Sequence, residues 1–124
     1  MNHIVLHEED ALMRALLKEW LSEAGYRVSA PAPREAPPEA AADLVIVSVA
    51  RPRQVGAQVV REIRATHPGT PVIAISGQFR SDLSDMGATA RALGVEQVIA
   101  KPLARANLLD SIRAILWPAS RSGS

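Results

Sequence analysis

The sequence predicts an open, doubly wound α/β fold built on a five-stranded parallel sheet. Three observations carry this prediction. Short apolar runs alternate with amphipathic helical stretches along the chain. Several of the runs are continuously apolar, as strands covered on both faces must be. Glycine or proline closes the helical stretches.

Ile4-Val5-Leu6 is the first strand. A helix is expected over 10–24, because Leu12, Met13, Leu16, Leu17, Trp20 and Leu21 recur at spacings of three and four. Gly25 stops it, and 26–30 reads as the second strand. The segment 31–38 carries four prolines, which remove donors and clash with a helix. Only a short turn starting at Pro38 fits there, so the second helix is expected to be shortened or missing. Leu44-Val45-Ile46-Val47-Ser48-Val49 is the clearest buried strand. A helix over 55–66 places Val59, Val60 and Ile63 on one side and ends at His67-Pro68-Gly69. Val72-Ile73-Ala74-Ile75 is the fourth strand, 83–93 a helix ended by Gly94, and 97–100 the fifth strand. Pro102 opens a last helix over 103–117, and Pro118 ends it.

The 124 residues suit one domain, expected over 1–118, with a polar tail at 119–124 expected to fray. With 0 Cys, disulfides, thiolate metal sites and thiol catalysis are excluded. Aromatics are 3% and hydrophobic residues 48%, so the core must be aliphatic. The net charge of +1 gives no bulk drive toward nucleic acid or membrane. Residues 1–50 hold 4 basic and 8 acidic side chains and residues 51–124 hold 10 and 5, without a run of either sign, as on ordinary solvated surface. No apolar stretch approaches the ~20 residues of a membrane span, and the first residues do not resemble a secretory signal. A cytoplasmic location is expected.

In a doubly wound sheet, ligands bind outside the carboxyl ends of the strands. His7-Glu8-Glu9-Asp10, Ser48, Ser76-Gly77 and Lys101-Pro102 stand there. Three adjacent acids could hold a hard cation such as Mg²⁺ through oxygen. They could equally sit at a helix N-terminus, where negative charge is favoured. Lys101 is one of only 2 lysines against 12 arginines, as a site needing a compact ammonium would have it. Ser76 could offer a hydroxyl to a ligand or cap its own strand. His3 and His7 share a strand face and His67 lies in a break; all three read as structural. No glycine-rich loop follows the first strand, which argues against a phosphate cradle.

These residues resemble the receiver domain of two-component response regulators, over 4–116. The likeness rests on Ile4-Val5-Leu6-His7 followed by Glu8, Glu9, Asp10 and Arg14-Ala15-Leu16-Leu17. It continues through Asp43-Leu44-Val45-Ile46-Val47-Ser48 with Pro52 and Gly56, then Pro71-Val72-Ile73-Ala74-Ile75-Ser76, then Lys101-Pro102. The stretch from Ala90 to Leu103 is similar to small stand-alone receivers. The resemblance implies a flavodoxin-like topology and assigns roles. Glu8 and Glu9 take the Mg²⁺ positions, Ser76 the hydroxyl position and Lys101 its ammonium partner, with Pro102 behind it. Val98 stands where an aromatic usually switches. The acceptor aspartate is replaced by Ser48, whose hydroxyl has no base beside it in the sequence pattern. The pocket is therefore expected to be degenerate, with Mg²⁺ binding weak or lost and no other cofactor.

The expected function is a signalling module, not an enzyme, that binds a sensor kinase or downstream regulator. Receivers commonly pair through their fourth helix, fifth strand and fifth helix, which points to Leu103 and Trp117 as partner surface and allows a homodimer. The alternatives are a small-molecule module using the edge crevice and a receiver phosphorylated at another residue.

Overall fold

The computed structural model describes residues 2–31, 42–49, 57–76, 90, 91, 93–100 and 104–117. Its elements are β1 (His3–His7), α1 (Ala11–Glu23), β2 (Arg27–Ser29), β3 (Leu44–Ser48), α2 (Ala57–Thr66), β4 (Val72–Ser76), β5 (Gln97–Ala100) and α3 (Arg105–Leu116). The strands form one sheet in the order β2-β1-β3-β4-β5, every neighbouring pair parallel. Among the described residues, no helix stands between β2 and β3. The predicted turn after Pro38 and most of the helix expected over 83–93 lie outside the described residues; Ala90, Arg91 and Leu93 are helical.

Alternation of side chains across the pleat sorts the core into two faces. Ile4, Leu6, Leu44, Ile46, Ile73 and Ile75 meet Leu17 and Leu21 of α1 and Leu108 and Ile112 of α3. Val5, Val45, Val47, Val72, Ala74 and Val98 meet Val60 of α2 and Ala90, Leu93 and Val95. One face is built from Leu and Ile and the other from Val and Ala. This two-sided burial is why β3 and β4 read as unbroken apolar runs.

Two helix ends show how local chemistry sets the boundaries. Asp10 caps α1: its Oδ1 accepts from the amides of Leu12 at 2.9 Å and Met13 at 3.1 Å. At the other end Gly25 has φ 97°, a left-handed conformation that only glycine adopts without strain. The Tyr26 amide then reaches back to the Leu21 carbonyl at 3.1 Å, turning the chain into β2.

The helix expected over 10–24 is present as α1, and it buries only part of its apolar positions. Leu12 is 84% exposed and Leu16 40% exposed, so neither belongs to the core. The helix buries Leu17 and Leu21 and half-buries Met13 and Trp20. Six apolar positions on this helix span more than the stripe a sheet can cover, and the 12–16 edge is the one left out.

Candidate functional site

The strand register places the carboxyl edge. His7 pairs with Val47, Ser48 with Ile75, and Ser76 with Ala100. Glu8, the next residue after β1, is therefore level with Ser48 on the neighbouring strand. Ser48 is half-buried, and Ser76 is buried at the end of β4. Ser76 belongs to the opposite face by alternation, so the two hydroxyls flank the edge from its two sides.

The three acids have separate geometries. Glu8 is only 5% exposed, and its Oε2 accepts from the Asp10 amide at 3.0 Å. Its own carbonyl accepts from Arg14 Nη1 at 2.9 Å. Asp10 is spent on the α1 cap. Glu9 is exposed. Among the described residues, no group of three or more His, Cys, Asp or Glu side chains is placed to hold a metal ion. Val98 lies buried on β5 against Ala74. Lys101, Pro102 and Leu103 lie outside the described residues. Trp117, at the end of α3, is 56% exposed.

A sequence model of the response regulator receiver domain matches residues 4–113. The chain belongs to the response regulator receiver family. It is 33% identical over 119 residues to the transcriptional regulatory protein CpxR of Klebsiella pneumoniae, covering 94% of this chain and 50% of that protein. It is 32% identical over 120 residues to the Regulator of RpoS of Escherichia coli, covering 93% of this chain and 35% of that one. The chain thus spans half or less of the length of these curated relatives. Among solved structures, the Vibrio cholerae chemotaxis protein CheY4 superposes with a TM-score of 0.74 at 22% identity, covering 94% of this chain and 99% of that chain. A two-component response regulator from Clostridium difficile gives 0.74 at 21% identity, covering 94% and 96%. These two show the shared fold.

Receiver domains are signalling modules of two-component systems, and the relatives of this one are bacterial. No helix among its described residues is long and apolar enough to cross a membrane.

The receiver sheet also assembles a group that sequence order does not show. His3, Val5 and His7 alternate onto the valine face, which α2 covers. His67 follows the last residue of α2, and its ring centroid lies 5.7 Å from that of His7, with the planes tilted by 57°. His67 is 8% exposed. The Nε2 atoms of both rings are buried without a hydrogen-bond partner among the described residues. His3 differs, since its Nε2 lies 2.7 Å from Ser29 Oγ. Burial, and then the charge of His67, pushes His7 below its ordinary value. Burial, and then the charge of His3, does the same to His67. Nothing in the spacing of 7 and 67 announces this pair; the sequence signal is two histidines at the ends of a strand otherwise made of aliphatic residues.

Proposed function

We propose that this receiver transmits its signal by binding a protein partner and does not pass through an acyl phosphate. The observation that carries the reading is Ser48. It ends β3 level with Glu8, where the resemblance puts the acceptor aspartate. An acyl phosphate requires a carboxylate, and a seryl hydroxyl needs a base to become a nucleophile. Replacing the aspartate also removes one negative charge and one oxygen ligand from any Mg²⁺ site. With Glu8 turned toward the Asp10 amide, Glu9 is the acid left facing solvent. In this reading Ser76, and Lys101-Pro102 by their place in the sequence, correspond to pocket residues that have no phosphoryl group to meet, and Val98 replaces the switching aromatic.

The proposed partner is a sensor kinase or a downstream regulator in the cytoplasm. The exposed Trp117 supports a surface at the end of α3; Leu103, the other residue the resemblance points to, lies outside the described residues. Aromatic residues are enriched where interfaces bury their centres. A homodimer through this surface is the form to test first. The domain limit at 118 and the tail at 119–124 belong to the same proposal.

Incubation with acetyl phosphate and Mg²⁺, read by intact mass, tests the chemistry. No stable phosphoryl adduct is expected, and no change in the amide spectrum with beryllium fluoride and Mg²⁺. A phosphoryl adduct in good yield overturns the reading. Trp117→Ala should weaken self-association or partner binding by ~1 kcal/mol or more. Unchanged association returns that surface to ordinary solvent-facing status.

A further inference from the structure

Among the described residues, the exposed large apolar side chains are Leu12, Leu16 and Trp117. Leu12 and Leu16 stand on α1 and Trp117 ends α3, the two helices that cover the leucine face of the sheet. A lone exposed leucine is ordinary, whereas apolar groups gathered on one face mark an interaction site. Helix spacing sets the rows to which they belong. Leu12, Leu16, Glu19 and Glu23 share one side of α1, at i, i+4, i+7 and i+11. Arg105, Leu109, Arg113 and Leu116 share one side of α3, at i, i+4, i+8 and i+11. Arg105 Nη2 lies 3.2 Å from Glu23 Oε1, so the two rows border the same furrow between the helices. Leu109 and Leu116 are half-buried along it, and Leu12 and Leu16 stand out from it.

We propose that a second copy of this chain covers this face, with α1 of each copy lying against α3 of the other about a two-fold axis. The proposal rests on the reading above that Trp117 is contact surface, and it adds the counterpart that Trp117 meets, the leucines of α1. Both helices follow strands of one parallel sheet and return along it, so they run in the same sense. A two-fold axis normal to the face reverses that sense in the second copy. The end of α3, with Trp117, then comes over the first turns of α1, where Leu12 and Leu16 stand. Charge fits the same occupant. The leucine row of α1 carries the exposed acids Glu19 and Glu23, while Arg14 and Lys18 lie on its other side. On α3 the exposed charges are Arg105 and Arg113 against Asp110. Packing α1 on α3 of the other copy brings acid to base twice, which α1 on α1 or α3 on α3 does not. The Glu23–Arg105 bridge makes the same match within one chain. Helices of 13 and 12 residues are each roughly 18–20 Å long and pack roughly 8–10 Å apart. A face of that extent suits a weak, reversible dimer and not a permanent one.

Sedimentation equilibrium of the full chain over a range of concentrations should show a monomer–dimer equilibrium that weakens several-fold at high salt. Leu12→Glu and Trp117→Ala, both at exposed positions and checked for folding by circular dichroism, should each weaken it at least about tenfold. Mixed in equal amounts, the two variants should associate more tightly than either alone, because the mixed pair keeps one Leu12–Trp117 contact. A chain that stays monomeric up to about 0.5 mM overturns the proposal and leaves the acetyl phosphate test of the signalling reading untouched. A dimer weakened by Trp117→Ala but not by Leu12→Glu keeps Trp117 as contact surface and overturns the α1 assignment. A mixture no tighter than its components overturns the pairing of α1 with α3.

Discussion

Removing the carboxylate of Glu8 separates two roles that look alike in sequence. In the structure this side chain is buried and accepts the Asp10 amide at 3.0 Å, just ahead of the α1 cap. Hydrogen bonds to charged groups contribute ~1.5–3 kcal/mol, against about 1 kcal/mol for neutral ones. Glu8→Ala also removes a buried methylene worth about 0.8 kcal/mol. The alanine variant should therefore lose ~2–4 kcal/mol. Glu8→Gln keeps an acceptor oxygen without its charge and should lose roughly 1 kcal/mol. An unfolding entropy of about 2.1 cal/mol/K per residue gives roughly 0.26 kcal/mol per kelvin for a chain of this length. Tm should then fall by about 8–15 °C for alanine and about 4 °C for glutamine. Thermal melts followed by far-ultraviolet circular dichroism at neutral pH, without divalent cation, make the comparison. A glutamine variant that melts at or above the parent would refute the reasoning. It would mean that repulsion from Glu9 and Asp10 outweighs the bond to the amide, as in a pocket held open for a cation.

The two sides of α1 should respond very differently to truncation. Leu17 is fully buried and Leu17→Ala should cost ~2–5 kcal/mol in urea denaturation, whereas Leu12→Ala should change stability by less than about 0.5 kcal/mol; equal losses would mean that α1 is rotated on the sheet. Ala104 sits at the N-cap of α3 in an extended conformation and makes no side-chain cap. Ala104→Ser should therefore stabilise the fold by ~0.5–1 kcal/mol in the same assay, and no gain would show that the start of α3 is held by other contacts. His7 and His67 take up protons less readily in the folded chain than at their ordinary value of 6.5. The unfolded chain thus binds more protons below that pH, so stability is fully present above about pH 7 and is lost as pH falls through 6.5 toward the lowered folded values. Urea midpoints at pH 7.5 and 5.5 should show the loss, and His67→Gln should reduce the slope; a flat profile would place both rings in solvent.

Legibility in the sequence followed the reach of the interactions. Strands β3 and β4 were readable because both of their faces are covered, and that leaves no polar position to interrupt the run. Gly25 and Gly94 were readable because a left-handed residue is a local demand that the residue itself meets. The exposure of Leu12 and Leu16 was not legible, because periodicity defines a stripe but not its centre; the sheet chooses which edge to cover. The His7–His67 pair was hidden for a related reason, since its contact is made by docking α2 on the sheet. Ser48 and Glu8 share one edge because parallel strands bring their carboxyl ends together, a consequence of the strand pattern and not of side-chain geometry.

The three acids after β1 show how a backbone sorts identical charges. A helix start leaves amides without intrahelical partners, and carboxylates satisfy them well. Asp10 takes the amides of Leu12 and Met13, and Glu8 takes the amide of Asp10 itself. The two carboxylates thus form consecutive links of one arrangement. Drawing Glu8 onto a cation would free the Asp10 amide and loosen the residue that caps α1. Any cation drawn to these acids would therefore meet carboxylates already engaged at the α1 start. An aspartate introduced by Ser48→Asp would add one ligand across the edge but would not release Glu8 from the Asp10 amide. For this reason the single substitution is expected to leave Mg²⁺ affinity weak, and Ser48→Asp together with a restored acid geometry at Glu8 and Glu9 is the smallest change that addresses both halves of the pocket.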